Sequence, residues 1–176
     1  ADALHYLAVD PNADTPPALI ALDASVTLAS VRGERSVRLR DFYRDDGIAH
    51  TVRAPDELLT RVVIPPTTDR VVFLKETARQ GMDFAYGTIA ARADGHGDRA
   101  GRLTLVLGSL TTAPRSLDGI AAELVANGLG EAAVEAAATG LRAALGPLTN
   151  LYSPAAYKRE LARALLGKAL AALREM

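Results

Sequence analysis

Three apolar stretches follow one another at 71–77, 86–93 and 102–110, and only short polar connections containing glycine separate them. Strands joined by so few residues pair antiparallel, because a parallel crossover needs about a dozen residues or more. The middle of the chain therefore reads as an antiparallel meander, whose Ala, Thr, Val and Ile content suits a sheet with one face covered. Beyond residue 115 the alternation stops and a three-and-four spacing takes over. Strands first and helices afterwards make a segregated α+β layout, not a series of βαβ units, and no internal repeat is evident.

Three helices are expected in that last part. Ser116 is placed to cap the first, which aligns Leu117, Ile120, Ala121, Leu124 and Val125 and ends at Asn127-Gly128. The second runs from about Glu131 to Leu145 and is closed by Gly146-Pro147. The third has Ser153 as its cap and Pro154 in its first turn, with Tyr157, Leu161, Ala164, Leu165, Lys168 and Ala169 on one stripe. Together they cover one face of the meander.

Ahead of the meander, Pro16 and Pro17 start a short apolar helix in PPALIALDA. Ser25–Val31 and Ser36–Arg40 alternate branched apolar and polar residues on either side of Arg32-Gly33-Glu34-Arg35, which predicts a β-hairpin with a glycine turn. A further strand at Leu58–Ile64 is stopped by Pro65 and Pro66, since proline cannot donate to a ladder.

Several function classes fall away on composition. Basic and acidic residues number 20 and 21, leaving a net charge of −1, so no chain-wide attraction for nucleic acid or an anionic membrane exists. Without cysteine the chain offers no disulfide, no thiolate ligand and no thiol nucleophile. No apolar run approaches the ~18 residues of a membrane span and no secretion signal is visible, which sets a cytoplasmic protein as the expectation. The start at Ala1, within a stretch resembling the middle of a domain, reads as the mark of a truncation or cleavage product.

His5, His50 and His96 are widely spaced and have no ligand-type neighbours at helical spacing, so no metal site is expected. Neither a nucleophile elbow nor a P-loop is present. DGHGDRAG, at 94–101, joins two strands and does not open a helix, so it reads as a solvated hairpin loop despite its glycines.

More chemistry is offered by Lys75, Arg79 and Asp83, spaced four apart where a strand runs into a glycine loop at Gly81. Such a loop, fixed at its base by the sheet, is well placed to meet a polar cofactor. Surface ion pairs worth ~0–1 kcal/mol each are the plainer account of the same residues. By residue type alone, Asp14 is a helix N-cap and Leu59 a core residue.

These segments resemble the FAD-carrying component of the molybdenum hydroxylases, the xanthine dehydrogenase family, and specifically its C-terminal half. The likeness rests on NADTPPALIALDA, PDELLTRVVIP and KETARQGMDFA, and extends through LGSLTTAPRSLDGIAAEL and SPAAYKRELARALLGKAL over nearly the whole chain. DTPPALIALDA and RDDGIAHTVRAPDELL look most like the beta subunit of 4-hydroxybenzoyl-CoA reductase, although the iron–sulfur loop of those relatives is ruled out here by the lack of cysteine.

The resemblance implies FAD as cofactor, with Asp14 accepting from its hydroxyls, Leu59 packing on it, Lys75 reaching it, and Arg79 and Asp83 in a mobile loop near the flavin ring. It implies that residues 1–66 are the C-terminal part of the FAD-binding domain, a helix-plus-strands remnant of its second subdomain. Residues 67–176 are then the C-terminal flavoprotein domain, a three-stranded antiparallel sheet covered on one face by three helices. A molybdenum-cofactor subunit and an iron–sulfur subunit are the implied partners, and electrons would pass between iron–sulfur clusters and an external partner through FAD. The family's pyrophosphate-wrapping glycine segments lie upstream of the part matched. A cofactor-free interaction or structural module that keeps the fold is therefore the alternative expectation.

Overall fold

The computed structural model describes residues 13–46, 48–79, 83–145 and 154–176. His5, Gly81, the Gly146-Pro147 stop and the Ser153 cap lie outside the described residues. In chain order the elements are α1 (Thr15–Ala21), β1 (Ser25–Ser30), β2 (Gly33–Arg38), a 3-10 turn at Leu39–Asp41, β3 (Leu58–Val63), β4 (Arg70–Thr77), β5 (Ala85–Ala93), β6 (Leu103–Gly108), β7 (Arg115–Ser116), α2 (Asp118–Asn127), α3 (Glu131–Ala138), α4 (Leu141–Leu145) and α5 (Ala155–Glu175). None of these helices is long and apolar enough to cross a membrane.

The strands form two antiparallel sheets, β2-β1-β3 and β4-β5-β6-β7. In the first, the hairpin turns at Val31-Arg32, one residue earlier than the glycine suggests, because Ser30 pairs with Gly33 and the second strand starts there. Gly33 supplies the φ of +120° needed beside so tight a turn. The second strand also ends early. Leu39 N–H donates to Ala24 O, turning the chain inward and burying Leu39 and Phe42 completely.

The second sheet contains the expected meander plus a two-residue fourth strand. Ser116 pairs with Val106 in β7 instead of capping the helix, and Leu117 takes the N-cap position. Leu117 N–H donates to Leu105 O and its side chain is buried, so the ladder holds the chain extended up to the helix start. Both faces of this sheet are covered, one more than anticipated. Ile89, Ala91, Leu105 and Leu107 pack with α2–α5, whereas Ala90 and Val106 pack with Ile20 of α1 and with Val26, Leu28 and Phe42. Period-two alternation sends neighbouring residues of one strand into two different cores. This is why 87–91 is buried without interruption.

On the helical side, the helix expected at 131–145 is two. Thr139 and Gly140 N–H donate to Ala136 O and Ala137 O, which closes α3 before α4 begins. In α5 the buried stripe is Lys158, Leu161, Ala162, Leu165, Leu166, Ala169, Leu170 and Leu173, while Tyr157, Ala164 and Lys168 are exposed. The apolar face is thus rotated and wider than the sequence stripe, the breadth a helix needs to lie across β4 and β5.

One buried cation ties these parts together. Arg70, 7% exposed at the start of β4, donates to Gly97 O and Leu173 O through Nη1, and to Asp94 O and Arg99 O through Nη2. It fastens the 94–101 loop and the end of α5 to the sheet. That loop is the hairpin connection expected, with Asp94 Oδ1 accepting from Gly101 N–H and Arg102 N–H.

Candidate cofactor site

Lys75 lies near the end of β4, on the face turned towards α1. Across the sheet it is in register with Thr88 of β5, which is in register with Gly108 of β6. Glycine is required at 108 by the helix above it. A Cβ there would collide with Pro17 Cγ and with Thr88 Oγ1. The bare backbone lets the first turn of α1 settle on the sheet, and this brings Asp14 beside Lys75.

Asp14 occupies the N-cap position of α1 but makes no side-chain cap bond. Its carboxylate turns to Lys75, whose Nζ donates to Asp14 Oδ2 at 2.6 Å and to Asp83 O at 2.7 Å. One ammonium therefore joins α1, β4 and the segment that re-enters the sheet at β5. The side chains of Lys75 and Asp14 remain 25% and 42% exposed. A cation and a carboxylate held open together can bond a ligand that carries both carbonyl and hydroxyl groups.

Arg79 and Asp83 form the rim. Arg79 Nε lies 3.2 Å from Asp83 Oδ2, and Asp83 Oδ1 accepts from Phe84 N–H at 2.9 Å. The Arg79 bond is the main reason that the Asp83 carboxyl titrates below the usual carboxylate range, followed by the Phe84 N–H. With Arg79 76% exposed, solvent screens this pair and it contributes little to stability. Of the five residues singled out in the sequence, the structure thus brings Asp14, Lys75, Arg79 and Asp83 together. Leu59 belongs to the other sheet, opposite Leu28, half-buried against the core around Val26 and Phe42.

Sequence reasoning missed Thr88 and Gly108. Thr88 is fully buried between Lys75 and Gly108 and its hydroxyl has no partner. The only signal was a glycine ending an otherwise apolar strand, in LVLG. Among the described residues no cluster of His, Asp and Glu is arranged to hold a metal ion.

Two family models match the chain. Residues 7–67 match the FAD binding domain in molybdopterin dehydrogenase, and residues 72–173 match the CO dehydrogenase flavoprotein C-terminal domain. The carbon monoxide dehydrogenase medium chain of Afipia carboxidovorans is 28% identical over 163 residues, covering 92% of this chain and 56% of that protein. Subunit alpha of the 6-hydroxypseudooxynicotine dehydrogenase complex of Paenarthrobacter nicotinovorans is 31% identical over 170 residues, covering 92% and 55%. The chain spans little more than half the length of these relatives. In three dimensions it is similar to a chain of reconstituted CO dehydrogenase from Oligotropha carboxidovorans, with a TM-score of 0.82 and 26% identity over 94% of this chain and 58% of that one.

Proposed function

The chain belongs to the CO dehydrogenase flavoprotein C-terminal domain family, and from that premise we propose that it is the FAD-carrying component of a molybdenum-containing dehydrogenase. FAD is the cofactor. The reading extends to an electron-passing role between iron–sulfur clusters and an external partner, with a molybdenum-cofactor subunit and an iron–sulfur subunit beside it and a cytoplasmic setting. The likeness of DTPPALIALDA and RDDGIAHTVRAPDELL to the beta subunit of 4-hydroxybenzoyl-CoA reductase is its finer part. A division into residues 1–66 and 67–176 is supported by the gap between the two family matches, at 68–71.

The observation that carries the proposal is the Lys75–Asp14 couple, formed across 61 residues and left partly open to solvent. Its donor set fits a flavin nucleotide, which offers ring carbonyls to a cation and ribityl or ribose hydroxyls to a carboxylate. FAD, when bound, supplies the exchange of a hydride or of single electrons. The protein supplies position and field. Lys75 keeps its proton and donates from Nζ, Asp14 accepts from a hydroxyl, and Leu59 offers an apolar surface. Arg79 and Asp83 place a movable cation against a fixed anion at the rim.

The test is the visible absorption spectrum of the full-length protein purified from its native source. Flavin bands, together with iron–sulfur bands from larger co-purifying subunits, are the expected result. A colourless protein without partners would overturn the reading.

A further inference from the structure

The two strands that carry the Lys75 group fall out of step at one place. Along β4 and β5 the pairing is regular from Arg70 with Ala93 to Glu76 with Gly87, but the next pair is Thr77 with Ala85. Tyr86 is the extra residue of a β-bulge. One inserted residue exchanges the faces of everything beyond it. Ala90 packs on the α1 side, so strict alternation would send Tyr86 to that side and Ala85 towards the helices. Instead Tyr86 packs with the core built by α2–α5, and Ala85 stands opposite Thr77, which shares the face of Lys75. The bulge thus decides that the chain enters the sheet from the Lys75 side. Two residues before Ala85, the Asp83 carbonyl accepts from Lys75 Nζ at 2.7 Å.

The bulge is held from the helical face. Tyr86 meets Tyr157, in the first turn of α5, with ring centroids 6.3 Å apart and planes at 88°, the edge-to-face geometry that aromatic pairs favour. Gly87 turns to the same helix. A Cβ on it would stand 3.0 Å from Leu110 Cδ2 and 3.1 Å from Leu161 Cδ2. The two neighbours of the bulge therefore share one side and divide its space: the tyrosine fills the gap beside Tyr157, and the glycine leaves room for Leu161, one turn further along α5. Tyr157 is 43% exposed, outside the leucine stripe that fixes α5 to the sheet.

We propose that Tyr157 is a positioning residue for the flavin site. Through Tyr86 it holds the bulge, the bulge sets the face on which Asp83 lies, and the Asp83 carbonyl keeps Lys75 Nζ aimed at the cofactor. Tyr157 itself stands across the sheet from Lys75 and touches no part of the flavin. This role rests on the reading that Lys75 donates to FAD. Without the Tyr157 ring, the unbulged register competes, in which Tyr86 pairs with Thr77. That register turns Tyr86 towards α1 and withdraws the Asp83 carbonyl from Lys75.

The test is titration of the flavin-stripped, full-length protein with FAD, read by flavin fluorescence, together with thermal denaturation of each variant. Tyr157→Ala should weaken FAD binding by about two- to tenfold, the equivalent of one aromatic pair. Tyr157→Phe, which keeps the ring, should bind as the wild type does. Leu170→Val trims the buried face of the same helix about 20 Å from Tyr157; it should lower the melting temperature and leave FAD affinity unchanged. In a Lys75→Met background, Tyr157→Ala should cost no further affinity. Wild-type affinity in Tyr157→Ala, no rescue by phenylalanine, an equal loss in Leu170→Val, or an undiminished effect in the Lys75→Met background would each overturn the positioning role. An unchanged affinity in Lys75→Met alone would overturn the Lys75 reading and this role together, whereas a loss there beside a silent Tyr157→Ala would overturn this role only.

Discussion

Lys75 Nζ and Asp14 Oδ2 stand 2.6 Å apart although 61 residues separate them in the chain. The pair fixes the first turn of α1 to the end of β4, and the Asp83 carbonyl on the same ammonium adds the start of the re-entrant segment. Because both side chains are partly exposed, their mutual attraction contributes little to stability. Lys75→Met should therefore change the unfolding free energy by less than about 1 kcal/mol while lowering flavin content or slowing flavin reduction. Wild-type flavin content together with a wild-type reduction rate would remove Lys75 from the site.

Gly108 sets the height of α1 above the sheet. Gly108→Ala should cost about 1–3 kcal/mol, the usual penalty for overpacking, because the new methyl group meets Pro17 and Thr88 Oγ1. Adding Thr88→Ala removes one of the two collisions, so the double variant should recover part of the loss, a non-additivity that thermal denaturation can read. Strict additivity would mean that the two residues do not touch.

Arg70 is a stability residue. Arg70→Met strips donors from the carbonyls of Asp94, Gly97, Arg99 and Leu173, so a loss of about 3 kcal/mol or more is expected in urea unfolding. Arg70→Lys should restore little of it, since a single ammonium cannot span four acceptors with the guanidinium fork. A loss below about 1 kcal/mol would show that the loop holds without the cation.

Glu57 gives the fold an acid limb. Its side chain is 6% exposed and its pKa is lowered from 4.5 to about 2, first by the hydrogen bond from Arg35 and then by the N–H of Ala54. A folded-state value below the unfolded one stabilises the protein at pH above about 4.5, and that contribution disappears as the pH falls through about 2. Glu57→Gln should accordingly flatten the dependence of melting temperature on pH within that window. An unchanged slope would assign the acid limb to other carboxylates.

The sheet strands were legible because period-two alternation and short glycine connections leave few alternatives, and β3 to β6 fall where the pattern puts them. Val31-Arg32 as the hairpin turn was not legible, since the register is set by the pairing of Ser30 with Gly33 and by Leu39 N–H reaching Ala24 O, bonds made away from the turn residues. The α5 stripe was misplaced for a related reason. Ala occurs on every side of that helix, and the expected stripe took in Ala164 and Lys168 and left out Leu166, Leu170 and Leu173, although all five leucines of α5 lie on the flank that packs on the sheet.

The sequence by itself determined the α+β order, the meander and the segments that carry the family likeness, because these rest on local periodicity, on turn residues and on contiguous motifs. Tertiary structure alone decided that the sheet is buried on both faces, that Arg70 is a buried clasp, and that Asp14 gives up its own helix cap to meet Lys75. These outcomes depend on residues far apart in the chain competing for the same bonds and the same space. No local pattern encodes the result of that competition. The close approach of Pro17 to Gly108 selects it, by setting where α1 comes to rest.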